Sequence, residues 1–201
     1  MATRLREVMQ AWRPTRPRLL PAERHRRVLA QAWMERHGGL TVLYLSGTPY
    51  EMGYQHGVLA RDLIHGFRKA AYAYVATRIP GPGWLARSLL LHRAAAYWPT
   101  VPQEIAEEIR GIADGAGVHP VEVLAANGMW ELPLASGCSG FAAVRPTTAY
   151  DSLLHGYNYD LMAPAHALIQ PYLAVLFYQP DQGVPFFTAN TVGSVGANAG
   201  M

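Results

Sequence analysis

The sequence carries a single cysteine, Cys138, in 201 residues. That excludes an internal disulfide and a zinc site built on several thiolates, and it fits a reducing compartment, so a cytoplasmic location is expected. Lysine is almost as scarce, because Lys69 is the only one among seventeen basic residues. Charged residues make up only 15% of the chain against 50% hydrophobic, a balance that excludes a disordered tail or linker and predicts a real core. No apolar run approaches the ~18–20 residues that span a bilayer, and the best, Ser88-Leu89-Leu90-Leu91, is cut by His92 and Arg93. The reading is a soluble protein with no membrane partner.

Positive charge is local. Residues 1–29 hold eight arginines and two glutamates, a surplus of six, and the net charge of the whole chain is +3, so the remainder is three units negative. No basic field runs through the folded part, and nucleic acid is not an expected partner. The arginine-rich start lacks the apolar stretch of a secretory signal, while its shortage of acids resembles a transit peptide; it reads as a solvated extension, with an address or membrane-surface arm as the alternative.

Residues 23–37 have Val28, Leu29, Ala32 and Trp33 at three- and four-residue spacing, which predicts a helix ending at Gly38-Gly39. Residues 40–45 read as a strand, and Ser46-Gly47-Thr48-Pro49 as a turn opening one long helix over 50–76. Gly53 and Gly57, four apart inside it, cost about 1 kcal/mol each against alanine, so close packing against another element is the expected compensation. Further helices are predicted over 84–97, from 103 to about 116, and over 120–126.

Past Leu132 the apolar residues become β-branched or aromatic in short runs. Residues 139–144 with 152–159, and 172–178 with 184–189, are two predicted β-hairpins. There is no internal repeat. A sheet of those hairpins needs its apolar faces covered, and nothing after it supplies a cover, so the chain is expected to be a fragment.

The small-residue cluster Ala135-Ser136-Gly137-Cys138-Ser139-Gly140 sits where helices give way to strands. A lone cysteine is most often an inert small hydrophobe. Here the unhindered Gly137 carbonyl precedes the thiol, and an N-to-S acyl shift would cut the chain and free the α-amino group of Cys138. That amine, with a reference pKa near ~7.7–8.0, can accept the thiol proton, so nucleophile and base share one residue. His155 on the paired strand is the alternative base. Asn158 and Asp160 fall on one face by alternation and are expected to look toward the same side of the hairpin as the nucleophile. Taken alone, Asn-x-Asp at a strand end is more often turn chemistry than catalysis.

Three stretches in this order carry a family resemblance: residues 47–57 (GTPYEMGYQHG), residues 108–118 (EIRGIADGAGV) continuing to Asn127 and Glu131, and Gly137-Cys138-Ser139 followed by Gly156-Tyr157-Asn158-Tyr159-Asp160. Together, over about residues 40–201, they resemble the acyl-coenzyme A:6-aminopenicillanic acid acyltransferase family, a group of autoproteolytic cysteine peptidases within the N-terminal nucleophile hydrolases. The resemblance implies an α+β fold in which a helical pro-region precedes the start of an αββα sandwich, here truncated. It divides the chain into a basic extension and helix over 1–39, a mostly helical pro-region over 40–137 that becomes a small subunit, and an incomplete catalytic part over 138–201. The processed subunits are expected to stay associated.

By position, Cys138 matches the family's nucleophile, the Gly137–Cys138 bond the self-cleaved one, and Asp160 the acidic position near the nucleophile. Tyr157 stands where relatives commonly have arginine or glutamine and takes the substrate-contact position. The tail resembles the glycine-rich segment leading into a Gly-Met-Asn motif whose asparagine helps bind the oxyanion. Gly200-Met201 ends the chain one residue before that asparagine, and Asn198 is the nearest one within it. His56 is expected to be a packing residue, and Glu108 with Arg110 a solvated face.

The function so implied is hydrolysis or transfer of the acyl group of a small linear amide by an N-terminal cysteine, with Asn158 and Asp160 positioning polar groups and no cofactor or metal. Related amidases of the phospholipase B-like or bile-salt-hydrolase-like kind would share the nucleophile and differ in substrate. A catalytically inactive binding or scaffold protein is the alternative outside enzymes.

Overall fold

The computed structural model describes residues 18–128, 137–148, 152–160 and 163–196. Helix α1 (Ala22–Leu29) leads into an antiparallel hairpin of β1 (Trp33–His37) and β2 (Leu40–Gly47). Then come α2 (Pro49–Leu59), α3 (Arg61–Ala76), α4 (Gly83–Tyr97), α5 (Gln103–Ala116) and α6 (Pro120–Gly128). Strands β3 (Gly137–Ala143) and β4 (Leu154–Asp160) follow, then α7 (Ala163–Ile169), β5 (Leu173–Pro180) and β6 (Phe186–Thr191). The chain is a mixed α+β protein. Among the described residues no helix is long and apolar enough to cross a membrane.

Two expected helices are shorter than their patterns suggested. The stretch read as one helix to Gly38-Gly39 ends at Leu29, and Trp33 onward is a strand. Gly38 and Gly39 have φ of 57° and 89°, the geometry a two-residue hairpin loop requires at both positions and only glycine adopts freely. The long helix expected over 50–76 breaks at Ala60, whose φ and ψ of −102° and 20° leave the helical region. The break lets α2 lie along α5 while α3 turns toward α4. Proline and glycine set the other bounds as expected, since Pro102 precedes α5 and Gly117, at φ 75°, caps it.

Helices α2 and α5 pack backbone to backbone. A Cβ on Gly53 would strike the carbonyl of Glu108, and one on Gly57 the carbonyl of Ile112. In return, a Cβ on Gly111 or Gly115 would strike the carbonyls of Tyr50 and Tyr54. The glycine spacing of α2 thus has its mate on α5, and close approach offsets the propensity cost. Buried Gln55 fixes the pair to its surroundings by donating to the carbonyls of Val28 (2.9 Å) and Ser46 (2.8 Å) and accepting from the Ser46 amide (2.9 Å).

The main sheet has the order β1-β2-β5-β6, with β2 and β5 parallel and the outer pairs antiparallel. Its inner face, carrying Leu43, Leu45, Leu176 and Tyr178, is buried in one core with Met52, Ile64 and Phe67. Among the described residues, the cover for this face comes from helices that precede β5. Its outer face bears one aromatic row in register, Trp33, Tyr44, Phe177 and Phe187, of which Trp33, Phe177 and Phe187 are about two-fifths exposed. The two predicted hairpins lie in different sheets, because among the described residues β3 and β4 pair only with each other.

Candidate functional site

Cys138 is the second residue of β3, and its thiol is free and exposed. The unbroken antiparallel register pairs Gly137 with Asp160, Cys138 with Tyr159 and Ser139 with Asn158. Residues directly opposite in such a ladder share a face. Asn158 and Asp160 therefore do lie on one face, but it is the face of Gly137 and Ser139, opposite to that of the Cys138 side chain. This corrects the expectation that both look toward the nucleophile's side: the register sets the parity, and sequence alternation within β4 alone does not.

Asp160 is nonetheless the residue directly across from Gly137, so the Gly137–Cys138 peptide bond runs beside it at the ~4.5–5.5 Å Cα spacing of opposed residues. His155 pairs with Ala142 and shares the Cys138 face, but it lies four residues along the ladder, ~13 Å away at 3.3 Å per residue. No direct hydrogen bond between a thiol and an imidazole reaches that far.

Glycine and aromatic residues alternate across the hairpin. A Cβ on Gly156 would strike the ring of Phe141, its cross-strand partner, and a Cβ on Gly140 would come within 3.2 Å of the Tyr157 ring, also its partner. Each ring lies over a glycine and shields the strand backbone there. Tyr157 shares the face of Cys138, two pairs along, so the residue expected to contact substrate stands on the same side of the sheet as the expected nucleophile.

The other resembling stretches meet at the chain segment after β6. The Gly193 amide donates to Nε2 of His56 at 2.9 Å, and the Gly193 carbonyl accepts from Nδ2 of Asn127 at 3.0 Å. Oδ1 of Asn127 accepts from the Val195 amide at 3.0 Å. His56 is wholly buried, its pKa is driven down by burial to about 4, and its Nδ1 has no partner. It is a neutral structural acceptor. Asn198, Glu131, Gly200 and Met201 lie outside the described residues.

Glu108 departs from its expected solvated face. It is 7% exposed, and its Oε1 accepts from the Tyr178 hydroxyl at 3.1 Å. Burial pushes its carboxyl up to about 7, with the Tyr178 hydrogen bond pulling the other way. The helical period of α5 placed an acidic side chain on the core-facing stripe with Ile109 and Ile112, and that polar interruption was the one available signal.

No group of three or more histidine, cysteine or acidic side chains suited to a metal occurs among the described residues. No protein-family model matches the sequence. An uncharacterized protein of Archaeoglobus fulgidus is 30% identical over 196 residues, an alignment that covers 81% of this chain. The chain spans about a third, 31%, of that protein's length.

Proposed function

We propose that this chain is a self-processing cysteine amidohydrolase or acyltransferase of the N-terminal nucleophile class. Cys138 Sγ attacks the Gly137 carbonyl, a thioester forms as the C–N bond breaks, and the freed amine takes the thiol proton. Water then releases the Gly137 carboxylate and restores the thiol. In turnover Sγ attacks the carbonyl of a linear amide, the Cys138 amine carries its proton to the leaving nitrogen, and water or a second amine resolves the acyl-enzyme.

The observation that carries this reading is the exposed thiol at the start of β3, directly after a glycine that pairs with Asp160 across the ladder. The amine of Cys138 would lie along the strand axis, not on either face. Asp160 can therefore orient that nitrogen without sharing the face of Sγ. The main sheet supports continued association of the cut products, because β2 comes before the cut and β5 after it, and they pair over seven residues. The aromatic outer face, apolar and half-covered, is what a second sheet of an αββα sandwich would bury.

Intact-mass measurement of the purified chain tests the proposal: two fragments are expected, the second beginning at Cys138. An uncut chain that hydrolyses N-acyl amino acids, conjugated bile salts or penicillin-type amides would refute self-processing. A cut chain that turns over none of these would leave the amidase assignment without support.

A further inference from the structure

A concavity lies away from the hairpin. A cleft of about 870 Å³ opens where β2 and β5 end side by side at Gly47 and Pro180, between the first turn of α2, the first turns of α5 and the β5–β6 connection. No residue of β3 or β4 lines it. Its acidic side chains are Glu104, Glu107, Glu108 and Asp181, and no lysine, arginine or histidine lines it among the described residues.

Glu108 is the informative one. A carboxyl this deeply buried and supported by a single neutral hydrogen bond is costly to keep. Oε1 is taken by Tyr178, and Oε2 is the other oxygen of a carboxyl that lines the cleft. Beside it, the Tyr178 and Phe186 rings stack with centroids 4.7 Å apart and offer π faces. Met52, Ile105 and Val184 supply apolar wall. The start of α5, whose Pro102 gives no side-chain cap, turns the positive end of that helix to the same space. A helix end amounts to roughly half a charge, which four carboxyl groups outweigh.

We propose that this cleft binds an organic cation, a protonated primary amine on an apolar body, with the ammonium against Glu108 Oε2 and the body against Met52, Ile105 and Phe186. The site is independent of Cys138 chemistry, and the preference for an ammonium on an apolar body follows from a buried carboxyl beside apolar and aromatic wall in a cleft whose charged lining is acidic.

The test uses the full-length chain with Cys138→Ala, so that binding is read whether or not the wild type cuts itself. Phenethylamine is titrated calorimetrically beside phenethyl alcohol and phenylacetate, which keep the ring and change the head group. The amine should bind saturably and at least tenfold more tightly than either control, and Glu108→Gln should remove that margin while leaving alcohol affinity unchanged. Amine affinity should rise from pH 6 to pH 8 as Glu108 ionises and be flatter in Glu108→Gln; the other acids lining the cleft are Glu104, Glu107, Asp181 and Tyr178. Should Glu108→Gln fold poorly, the double rim variant Glu104→Gln, Glu107→Gln should weaken the amine about threefold and spare the alcohol. Equal affinity for the three compounds, no saturable binding, or an amine margin left unchanged by these variants overturns the proposal.

Discussion

The backbone amide of Gly193 points at Nε2 of His56, 137 residues earlier, and closes on it at 2.9 Å in a site sealed from solvent. An imidazole in this place holds a turn rather than a substrate. His56→Ala would leave the Gly193 amide unpaired and open a cavity, a combined cost of about 3 kcal/mol. Chemical denaturation should show that loss, and hydrogen exchange should show the Gly193 amide among the most accelerated. His56→Gln keeps an acceptor on the side chain and should lose less.

The buried pair of ionisable groups, His56 and Glu108, tilts stability in opposite directions with pH. His56, lowered by burial to about 4, stays neutral while the unfolded chain protonates it, so its contribution is lost as pH falls from 6.5 toward 4. Glu108, raised by burial to about 7, stays protonated while the unfolded chain ionises it, so stability declines as pH rises from 4.5 toward 7. Each effect amounts to about 3 kcal/mol across its range, and between pH 4.5 and 6.5 they nearly cancel. Glu108→Gln should unmask a stability that climbs with pH relative to wild type, and His56→Gln one that falls. Denaturation midpoints at half-unit pH steps check both slopes. Parallel pH curves for wild type and Glu108→Gln would count against the burial of that carboxyl.

Glycine substitutions should separate contact from propensity. Gly111→Ala places a methyl against the carbonyl of Tyr50 and 2.7 Å from the Tyr54 amide, neither of which can rotate away. The resulting strain should exceed the ~1 kcal/mol that alanine returns as helix propensity, giving a net loss of about 3 kcal/mol. Gly128→Ala meets nothing within 4 Å at the end of α6 and should be neutral or slightly stabilising. Thermal melts of the two variants should move apart, and equal shifts would show that α2 and α5 are looser than their backbone contacts indicate.

What the sequence disclosed follows the range of the interactions involved. Helix α5 was legible because Pro102 and Gly117 bound it locally, and both hairpins were legible from short β-branched runs between turn residues. The strand Trp33–His37 was hidden because Val28, Leu29, Ala32 and Trp33 also satisfy a helical period, and only the pairing with β2 decides between them. The parallel union of β2 with β5 joins segments some 130 residues apart and has no local signature. At the candidate site, alternation put Asn158 and Asp160 together, but which face holds Cys138 depends on a register no single strand encodes.

That register makes the roles around Cys138 separable. If the Cys138 α-amine is the working base, the residue opposite Gly137 should matter and the histidine four pairs along should not. Asp160→Asn removes the charge that would orient the amine and should slow both chain cleavage and turnover by ~10²-fold, within the range typical of a positioned acid–base group. His155→Ala should leave both rates within about twofold of wild type, because ~13 Å separates it from Cys138 along the strand. Cys138→Ala should abolish both, whereas unchanged ligand binding with no activity in any form of the protein would favour a binding role. The measurement is a time course of fragment appearance by mass spectrometry, run beside release of amine from an N-acyl amino acid. A large loss in His155→Ala with Asp160→Asn unaffected would transfer the base to the imidazole and require a hairpin register other than the one that pairs Cys138 with Tyr159.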